Sequence, residues 1–327
     1  MKCKDLLKNL EYECVRGSVD VEVTEVVNDS RKVTAGCLFL CIVGANFDGH
    51  DAAPGAVEAG AKVLVVSKDI DMPADADVTV IKVADTRYAM AFISAAYFGN
   101  PADDMKIIGV TGTKGKTTTT YMVKNVLEAC GIKTGLIGTI ETIIGDEAIP
   151  AHNTTPESIE IHQSFAKMVD AGCKAVVMEV SSQGLKLDRT AGIMFDIGVF
   201  TNLEPDHIGP NEHESFEDYL NCKAKLFKQC KVGIVNADDK HTQDILRGAI
   251  CKVESYGIGD NADIKAENIE LLHEPGKIGL TYDCTGLVNM KVELNLPGKF
   301  SVYNSLCAIA ITRHFDVDEE ALKETLK

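Results

Sequence analysis

The stretch 105–123, MKIIGVTGTKGKTTTTYMV, limits what this chain can fold into more than any other. Ile107 to Val110 make a short apolar run that reads as a buried strand. A turn bearing glycines runs from Thr111 to Gly115, and Lys116, Thr117 and a helical pattern follow. Glycine lets a backbone pass close to an anion, and amides at a helix start point toward one. A lysine there adds a point charge, and a hydroxyl there can hold Mg²⁺. Strand, turn and helix in that order predict a cradle for the phosphates of a nucleoside triphosphate. The strict pattern G-x-x-x-x-G-K-[ST] is not met, because Val110 stands five residues before Gly115. What stands is the shorter Gly112-Thr-Lys-Gly-Lys-Thr117.

The rest of the composition narrows the partners. At 327 residues there is room for two or three domains. No run approaches the ~20 apolar residues of a spanning helix, and the lysine-bearing start lacks the apolar stretch of a signal peptide. Eleven scattered cysteines with no C-x-x-C pair fit the reduced thiols of the cytoplasm. Cys37 and Cys41, four apart in an apolar run, are expected as core neighbours. A formal charge of −16 without a basic cluster argues against nucleic acid. It does not exclude small anions, because a helix start and one or two lysines act at short range. No membrane partner is expected, and a monomer is.

Residues 1–101 read as a small α/β unit. Strand patterns fall at Val21–Val27, Cys37–Val43, Lys62–Ser67 and Val78–Val83, with helices at Pro54–Gly60 and Thr86–Tyr97. The segment Gly99-Asn-Pro-Ala-Asp-Asp104 marks the boundary. From 102 to 327 strands and helices alternate, which predicts a mostly parallel sheet. Helix Lys116–Cys130 leads to strand Thr134–Ile140. A helix signalled by Asn153-Thr-Thr-Pro-Glu157 runs to about Ala171. Strands Ala175–Met178, Phe195–Phe200 and Val232–Val235 follow. Short alternating runs between Val253 and Leu296 predict an antiparallel edge, and helices at Val302–Arg313 and Glu319–Leu326 close the chain. The fold class is therefore α/β: a small N-terminal α/β domain, then a P-loop domain with a mostly parallel sheet and an antiparallel edge.

Ligands in open α/β sheets collect at the carboxyl ends of strands. Three such ends carry suitable groups: the phosphate loop, Glu179, and the turn from Asn202 to Asp206 and His207. A carboxylate after an apolar strand commonly serves Mg²⁺ beside a P-loop, although it is also a common helix cap. Lys223 is the anomaly. In a helix over Ser215–Cys230 it lies on the stripe of Phe216, Tyr219, Leu220, Leu226 and Phe227, at spacings of 3, 4, 7, 10 and 11 from Phe216. Lys225 and Lys228 fall off that stripe, on the solvent side. An inward lysine needs a charge partner, a shifted pKa or a chemical modification; the alternative is snorkelling to the rim.

Six segments occur in a telling order: Gly109-Val-Thr-Gly-Thr-Lys-Gly-Lys-Thr-Thr-Thr119, His152-Asn-Thr-Thr-Pro156, Glu179-Val-Ser-Ser-Gln-Gly-Leu185, Thr201-Asn-Leu-Glu-Pro-Asp-His207, Lys223-Ala-Lys-Leu-Phe227 and Asn236-Ala-Asp-Asp239. In these the chain resembles the Mur ligase family over nearly its whole length. Asn153-Thr154-Thr155 and the turn Asp29-Ser30-Arg31 are most similar to the branch that adds the third amino acid of the peptidoglycan stem peptide. Folylpolyglutamate synthase, a cousin, typically has Gly-Lys-Gly-Ser where this chain has Gly115-Lys116-Thr117-Thr118.

The resemblance implies an ATP-dependent amide ligase of cell-wall precursor synthesis in the cytoplasm. ATP and Mg²⁺ would bind at Gly112, Thr113, Lys114, Gly115, Lys116, Thr117 and Thr118, with Asn304 near the adenine. The γ-phosphate would pass to the D-Glu carboxylate of UDP-MurNAc-L-Ala-D-Glu, and a diamino acid, meso-diaminopimelate or L-lysine, would attack the acyl phosphate. Lys116 would stabilise the moving phosphoryl group. Thr117 and Glu179 would hold one Mg²⁺, and His207 with N-carbamylated Lys223 a second. The UDP half of the substrate would lie near Ser30, Ala45, Asn46 and Phe47 of domain 1–101; the sugar-peptide half would meet Asn153, Thr154, Thr155, Ser181 and Arg189. Four departures qualify the likeness: Lys114 for the usual asparagine, Leu187 for a frequent glutamine, Ser301 for a frequent asparagine near the adenine, and a His207–His213 loop two residues longer than usual. The family's third, C-terminal amino-acid-binding domain is expected to be absent, so that the chain binds nucleotide but turns over slowly or not at all. The alternatives are another Mur-type or folylpolyglutamate-type ligase, or a nucleotide-binding module without catalysis.

Overall fold

The computed structural model describes residues 1–206, 208–210, 212–272 and 278–327. They divide into two compact units. One comprises Met1–Pro101 with Glu157–Ala166 and Leu187–Gly192; the other comprises Ala102–Pro156, Lys167–Lys186 and Ile193–Lys327.

In the first unit, α1 (Cys3–Leu6), β1 (Glu13–Arg16), β2 (Val26–Val27), β3 (Leu38–Leu40), α2 (Ala53–Glu58), β4 (Val63–Val66), β5 (Thr79–Lys82) and α3 (Thr86–Tyr97) follow in order. The sheet runs β1-β5-β4-β3-β2, parallel except for β1. Side chains alternate across a strand, so Leu38, Leu40, Val63 and Val65 enter one core, while Phe39, Leu64 and Val66 enter another on the opposite face. Burial on both faces is why these strands read as unbroken apolar runs. Cys37 and Cys41 are fully buried in the second of these cores. The alternating run Val21–Val27 forms a strand only at Val26–Val27, because Val21 and Val23 give their backbone groups to the N-terminus: Cys3 donates to Val21 O and Val23 to Met1 O.

The second unit contains β6 (Lys106–Thr111), α4 (Lys116–Ala129), β7 (Thr134–Ile137), β8 (Glu141–Ile144), β9 (Glu147–Pro150), β10 (Ala175–Glu179), α6 (Ser182–Lys186), β11 (Phe195–Phe200), α7 (Phe216–Ala224), β12 (Cys230–Asn236), α8 (Thr242–Ile245), β13 (Lys252–Gly257), β14 (Ile264–Leu271), β15 (Leu280–Gly286), β16 (Met290–Leu294), α9 (Lys299–Thr312) and α10 (Glu319–Leu326). Helix α5 (Ser158–Asp170) lies between β9 and β10 in the chain. The sheet order is β16-β15-β14-β13-β12-β11-β6-β10-β7-β8-β9, with parallel pairs from β14 to β7 and antiparallel pairs at both edges. The antiparallel edge expected over Val253–Leu296 begins later, because β13 is parallel to both neighbours and only β14–β16 pair antiparallel; the β8–β9 hairpin is a second, unpredicted edge.

Two helix boundaries differ from expectation. The 153–157 signature does not open the helix at Thr155: α5 starts at Ser158, because the Thr155 hydroxyl donates to Glu179 O at 2.9 Å and accepts from Ser181 N. Nor is Ser215–Cys230 one helix. It ends at Ala224, tightens into a 3₁₀ turn at Lys225–Lys228, and gives way to β12 at Cys230. Among the described residues no helix is long and apolar enough to cross a membrane.

Candidate active site

The sheet order brings together what the sequence leaves apart. Strand β6 lies between β10 and β11, in register Glu179↔Val110 and Phe200↔Thr111. The phosphate loop, Glu179 and the 201–206 turn therefore emerge side by side at the carboxyl ends of three adjacent strands, where such sheets bind ligands.

The loop from Gly112 to Gly115 is left-handed at both ends, with φ of 148° and 87°. A Cβ at Gly112 would collide with Thr201 Oγ1, and one at Gly115 would lie 2.7 Å from Asn304 Oδ1. Only glycine leaves this cradle open. The strand neighbour clasps the loop: Lys114 N donates to Asn202 Oδ1 at 2.8 Å, Asn202 Nδ2 returns a bond to Lys114 O, and Thr201 Oγ1 donates to the same carbonyl at 2.7 Å. Lys114 itself reaches outward to Glu204, which explains how a lysine is accommodated in place of asparagine.

Lys116 Nζ folds back onto Gly112 O at 2.9 Å and Thr113 O at 3.1 Å. Lys223 is 2% exposed, so the stripe of α7 does turn it inward. Its Nζ donates to Gly112 O at 3.0 Å and lies 4.5 Å above the ring of Tyr219, whose hydroxyl is 3.1 Å from Thr113 Oγ1. Burial, and then the neighbouring charge of Lys116, holds the Lys223 amine well below the usual lysine range, against a weaker pull from Asp206. Burial lowers Lys116 too, and Glu179 and Asp206 oppose this. Of the two, Lys223 is the free-base candidate.

Glu179 is fully buried at the end of β10. Oε1 accepts from Thr117 Oγ1 at 2.9 Å and Thr139 N at 3.0 Å, and Oε2 accepts from Thr139 Oγ1 at 3.0 Å. Thr139 also meets Thr154, hydroxyl to hydroxyl, at 3.1 Å. A hydroxyl and a carboxylate oxygen this close, beside a phosphate cradle, are the hard donors that suit Mg²⁺. His207 lies outside the described residues.

Beyond the loop, Asn304 faces Gly115 and helps line a cavity of about 180 Å³ with Asn202, Asp238, Phe300 and Tyr303. Asp238 shapes its wall by accepting from Tyr303 OH at 2.8 Å and Ile258 N at 2.6 Å.

Residues 110–312 match the Mur ligase middle domain, and residues 22–98 the catalytic domain of the Mur ligase family. The chain belongs to the Mur ligase family. A UDP-N-acetylmuramoyl-L-alanyl-D-glutamate--2,6-diaminopimelate ligase of Clostridium perfringens (strain 13 / Type A) is 42% identical to it, over 100% of this chain and 67% of that protein. The ligase of the same name numbered 1 in Clostridium acetobutylicum is 43% identical, over 100% of this chain and 66% of its own. A solved structure of a 2,6-diaminopimelate ligase of this kind shares the fold, with a TM-score of 0.85 at 22% identity, over 100% of this chain and 66% of its own. The chain spans about two thirds of the length of the curated relatives it matches.

The other site residues expected of a Mur ligase fall in both units. In the first, Ser30 opens a 3₁₀ turn capped by Asp29, and Ala45, Asn46 and Phe47 form a loop closed by Gly44 N donating to Phe47 O at 2.8 Å. The Phe47 side chain is exposed. Arg189 donates to Glu157 at 2.6 Å, and Glu157 also meets Arg87 at 3.2 Å. In the second, Asn153 is exposed, Thr154 and Thr155 are bound as above, and Ser181 Oγ accepts from Gly184 N at 3.0 Å. Sequence reasoning named the turn that begins at Asn202 but missed Thr139 and Tyr219 as parts of this candidate site. Thr139 follows Gly138, where a Cβ would come 2.8 Å from Glu179 Oε1, so the glycine there was the available signal.

Proposed function

We propose that this Mur ligase chain serves ATP-dependent amide bond formation: a diamino acid, 2,6-diaminopimelate by analogy with its relatives, is joined to the D-Glu carboxylate of UDP-MurNAc-L-Ala-D-Glu through an acyl phosphate. The observation that carries the reading is the convergence of Lys116 and Lys223 on one carbonyl of a glycine cradle, beside the Thr117–Glu179 pair. The second unit is the ATP domain of a peptidoglycan-precursor ligase in the cytoplasm. The first is the UDP-binding domain, with Ser30, Ala45, Asn46 and Phe47 toward the nucleotide.

Phosphoryl transfer from ATP asks a protein mainly for positioning and charge. Loop amides and Thr118 at the start of α4 receive the phosphates. Lys116, already aimed into the loop, exchanges its two carbonyl acceptors for phosphate oxygens and stabilises charge as the γ-phosphoryl leaves. Asn153, Thr154, Thr155 and Ser181 of the second unit hold the sugar-peptide so that its D-Glu carboxylate faces that phosphoryl; Arg189 of the first unit is a further sugar-peptide contact. Lys223, kept as a free amine, attacks the carbon of CO₂ and releases a proton, becoming a carbamate. The change puts an anion beside Lys116 where a neutral amine stood, so the buried pair carries opposite charges. Thr117, Glu179, carbamylated Lys223 and His207 would hold Mg²⁺, which neutralises phosphate charge when bound.

Trapping with hydroxylamine tests the reading. Slow ATP-dependent formation of a hydroxamate from UDP-MurNAc-L-Ala-D-Glu, with ADP released, is the expected result. The same signal from UDP-MurNAc or the tripeptide alone would move the chain to another Mur-type ligase. Tight ATP binding with no hydroxamate from any of them would leave a nucleotide-binding module.

A further inference from the structure

Between the two site segments runs a chain of polar contacts centred on His213. The ring is fully buried. Its Nε2 is 2.8 Å from Ser182 Oγ and its Nδ1 is 3.0 Å from Asp218 Oδ2. Asp218 also takes Lys186 Nζ on Oδ2 at 2.8 Å, and Lys186 reaches Glu212 O at 3.2 Å. An ionised Asp218 can only accept, so Nδ1 carries the proton and Nε2 accepts from the Ser182 hydroxyl. Cys222 is close enough to complete a metal-ligand trio with His213 and Asp218, but its thiol donates to Asp218 Oδ1 at 3.6 Å, and both His213 nitrogens are engaged.

The ring also packs against a neighbour. His213 meets Tyr219 at a tilt of 59°, with centroids 5.1 Å apart. Tyr219 in turn supports Lys223 Nζ on its ring and touches Thr113 of the phosphate loop with its hydroxyl. Tyr219 and Lys223 are four residues apart, hence neighbours on α7. One buried imidazole thus ties the start of α6, next to Ser181, to the first turn of α7, and backs the ring that seats the lysine.

We infer that His213 is a positioning residue for this site: held by Ser182 and Asp218, it fixes Tyr219 and so sets the place of the Lys223 amine and of Thr113. The inference rests on the proposed reading of Lys223 as the carbamate-forming lysine.

The experiment is ¹³C NMR of the chain in ¹³C-bicarbonate, with Mg-ADP affinity by calorimetry and a melting curve for each variant. Wild type gives a carbamate resonance that Lys223→Arg lacks. His213→Phe keeps the ring on Tyr219 but loses both hydrogen bonds; with its melting transition retained, it lowers carbamate occupancy and Mg-ADP affinity by about tenfold, as the loss of two buried bonds implies. His213→Asn, which can still donate to Asp218, recovers part of both. A merely structural role would lower the melting temperature and leave the carbamate fraction of the folded protein unchanged, and that result overturns the inference. Should His213→Phe fail to fold, Ser182→Ala breaks the same chain at its other end and is held to the same criterion. Absence of a carbamate in wild type would sink the reading of Lys223; the inference then stands or falls on Mg-ADP affinity alone, unchanged affinity in His213→Phe overturning it.

Discussion

Lys116 and Lys223 donate to a single acceptor, the carbonyl oxygen of Gly112, at 2.9 and 3.0 Å. Two ammonium groups on one oxygen repel, and burial raises the cost of keeping both charged. The conflict is resolved by unequal support. Asp206 favours the charge on both and Glu179 favours it on Lys116, whereas Lys223 is more deeply buried and feels Lys116 as a repelling neighbour. The roles proposed for them, a cation for phosphate and a nucleophilic amine for CO₂, are consistent with this one arrangement.

The two lysines of the phosphate loop should therefore behave differently. Lys116 is turned inward onto loop carbonyls, while Lys114 is exposed and paired with Glu204 on the surface. Lys116→Ala is expected to weaken Mg-ATP binding by about a hundredfold, the scale of a lost charge-assisted contact to phosphate. Lys114→Ala should stay within about fivefold, as for an exposed pair. Calorimetric titration of both variants checks this, and equal losses would show that Lys116 is not the phosphate lysine.

Glu179 should matter through its charge rather than its shape. Gln at this position keeps the volume and one acceptor oxygen for Thr117 or Thr139, but loses the anion that a hard cation needs. Glu179→Gln is expected to bind ATP in EDTA about as well as wild type and to lose the gain in affinity that Mg²⁺ confers. Comparing the two titrations decides it. A magnesium effect that survives the substitution would remove Glu179 from the metal site.

How much of this was legible follows from which links are local. The loop Gly112–Thr117 is a strand-turn-helix within one window, and Lys223 betrays itself by falling on an apolar stripe, so both were readable residue by residue. The adjacency of β10, β6 and β11 is not local: no pattern in 175–200 says that β6 inserts between its two later neighbours. The grip of Thr139 on Glu179 depends on that order and was hidden with it. Helix ends failed where side chains found better partners than a cap, as at Thr155, and the stripe from Phe216 to Phe227 continued through a 3₁₀ turn that it could not distinguish from helix. His162 falls within the helix expected to run to about Ala171, and nothing in its spacing says that its neighbours would seal it from water.

His162 should make stability pH-dependent in a definite window. It is 2% exposed, neither ring nitrogen has a hydrogen-bond partner among the described residues, and the ring meets Phe165 edge-on at 6.0 Å. Burial pushes its pKa down from 6.5 to about 4. The unfolded chain thus takes up the proton first, and the neutral ring's contribution, complete above about pH 6.5, is lost as pH falls toward 4 and changes no further below that. The span corresponds to about 3 kcal/mol. Asp29, held down to about 2 by Arg31, loses its contribution only below 3.8, outside this window. Urea unfolding at pH 7 and pH 4.5 should show a drop in wild type that His162→Leu reduces, the remainder coming from His213, which burial also holds below 6.5. Equal drops in both would mean that the acid sensitivity lies elsewhere.

Glu157 should be the residue on which the arginine cluster of the first unit depends. It sits just before α5 and accepts from Arg189 at 2.6 Å and Arg87 at 3.2 Å, with all three side chains less than a quarter exposed. Arg87 also donates to Val43 O at 3.1 Å, beside the 44–47 loop, and Ser158 Oγ donates to Arg189 O at 3.0 Å. Removing the carboxylate charge leaves two half-desolvated guanidinium groups facing each other. Glu157→Gln is therefore expected to cost about 2 kcal/mol, less than a fully buried pair because water still screens part of the cluster. Salt separates this from simple loss of packing: the deficit should shrink as ionic strength rises and the arginines are screened. Adding Arg87→Met to Glu157→Gln removes one of the two cations that the carboxylate met, and the double variant should unfold at a higher urea midpoint than Glu157→Gln alone. If it is the less stable of the two, like-charge repulsion is not what the carboxylate holds in check, and Glu157 serves as a helix-start residue instead.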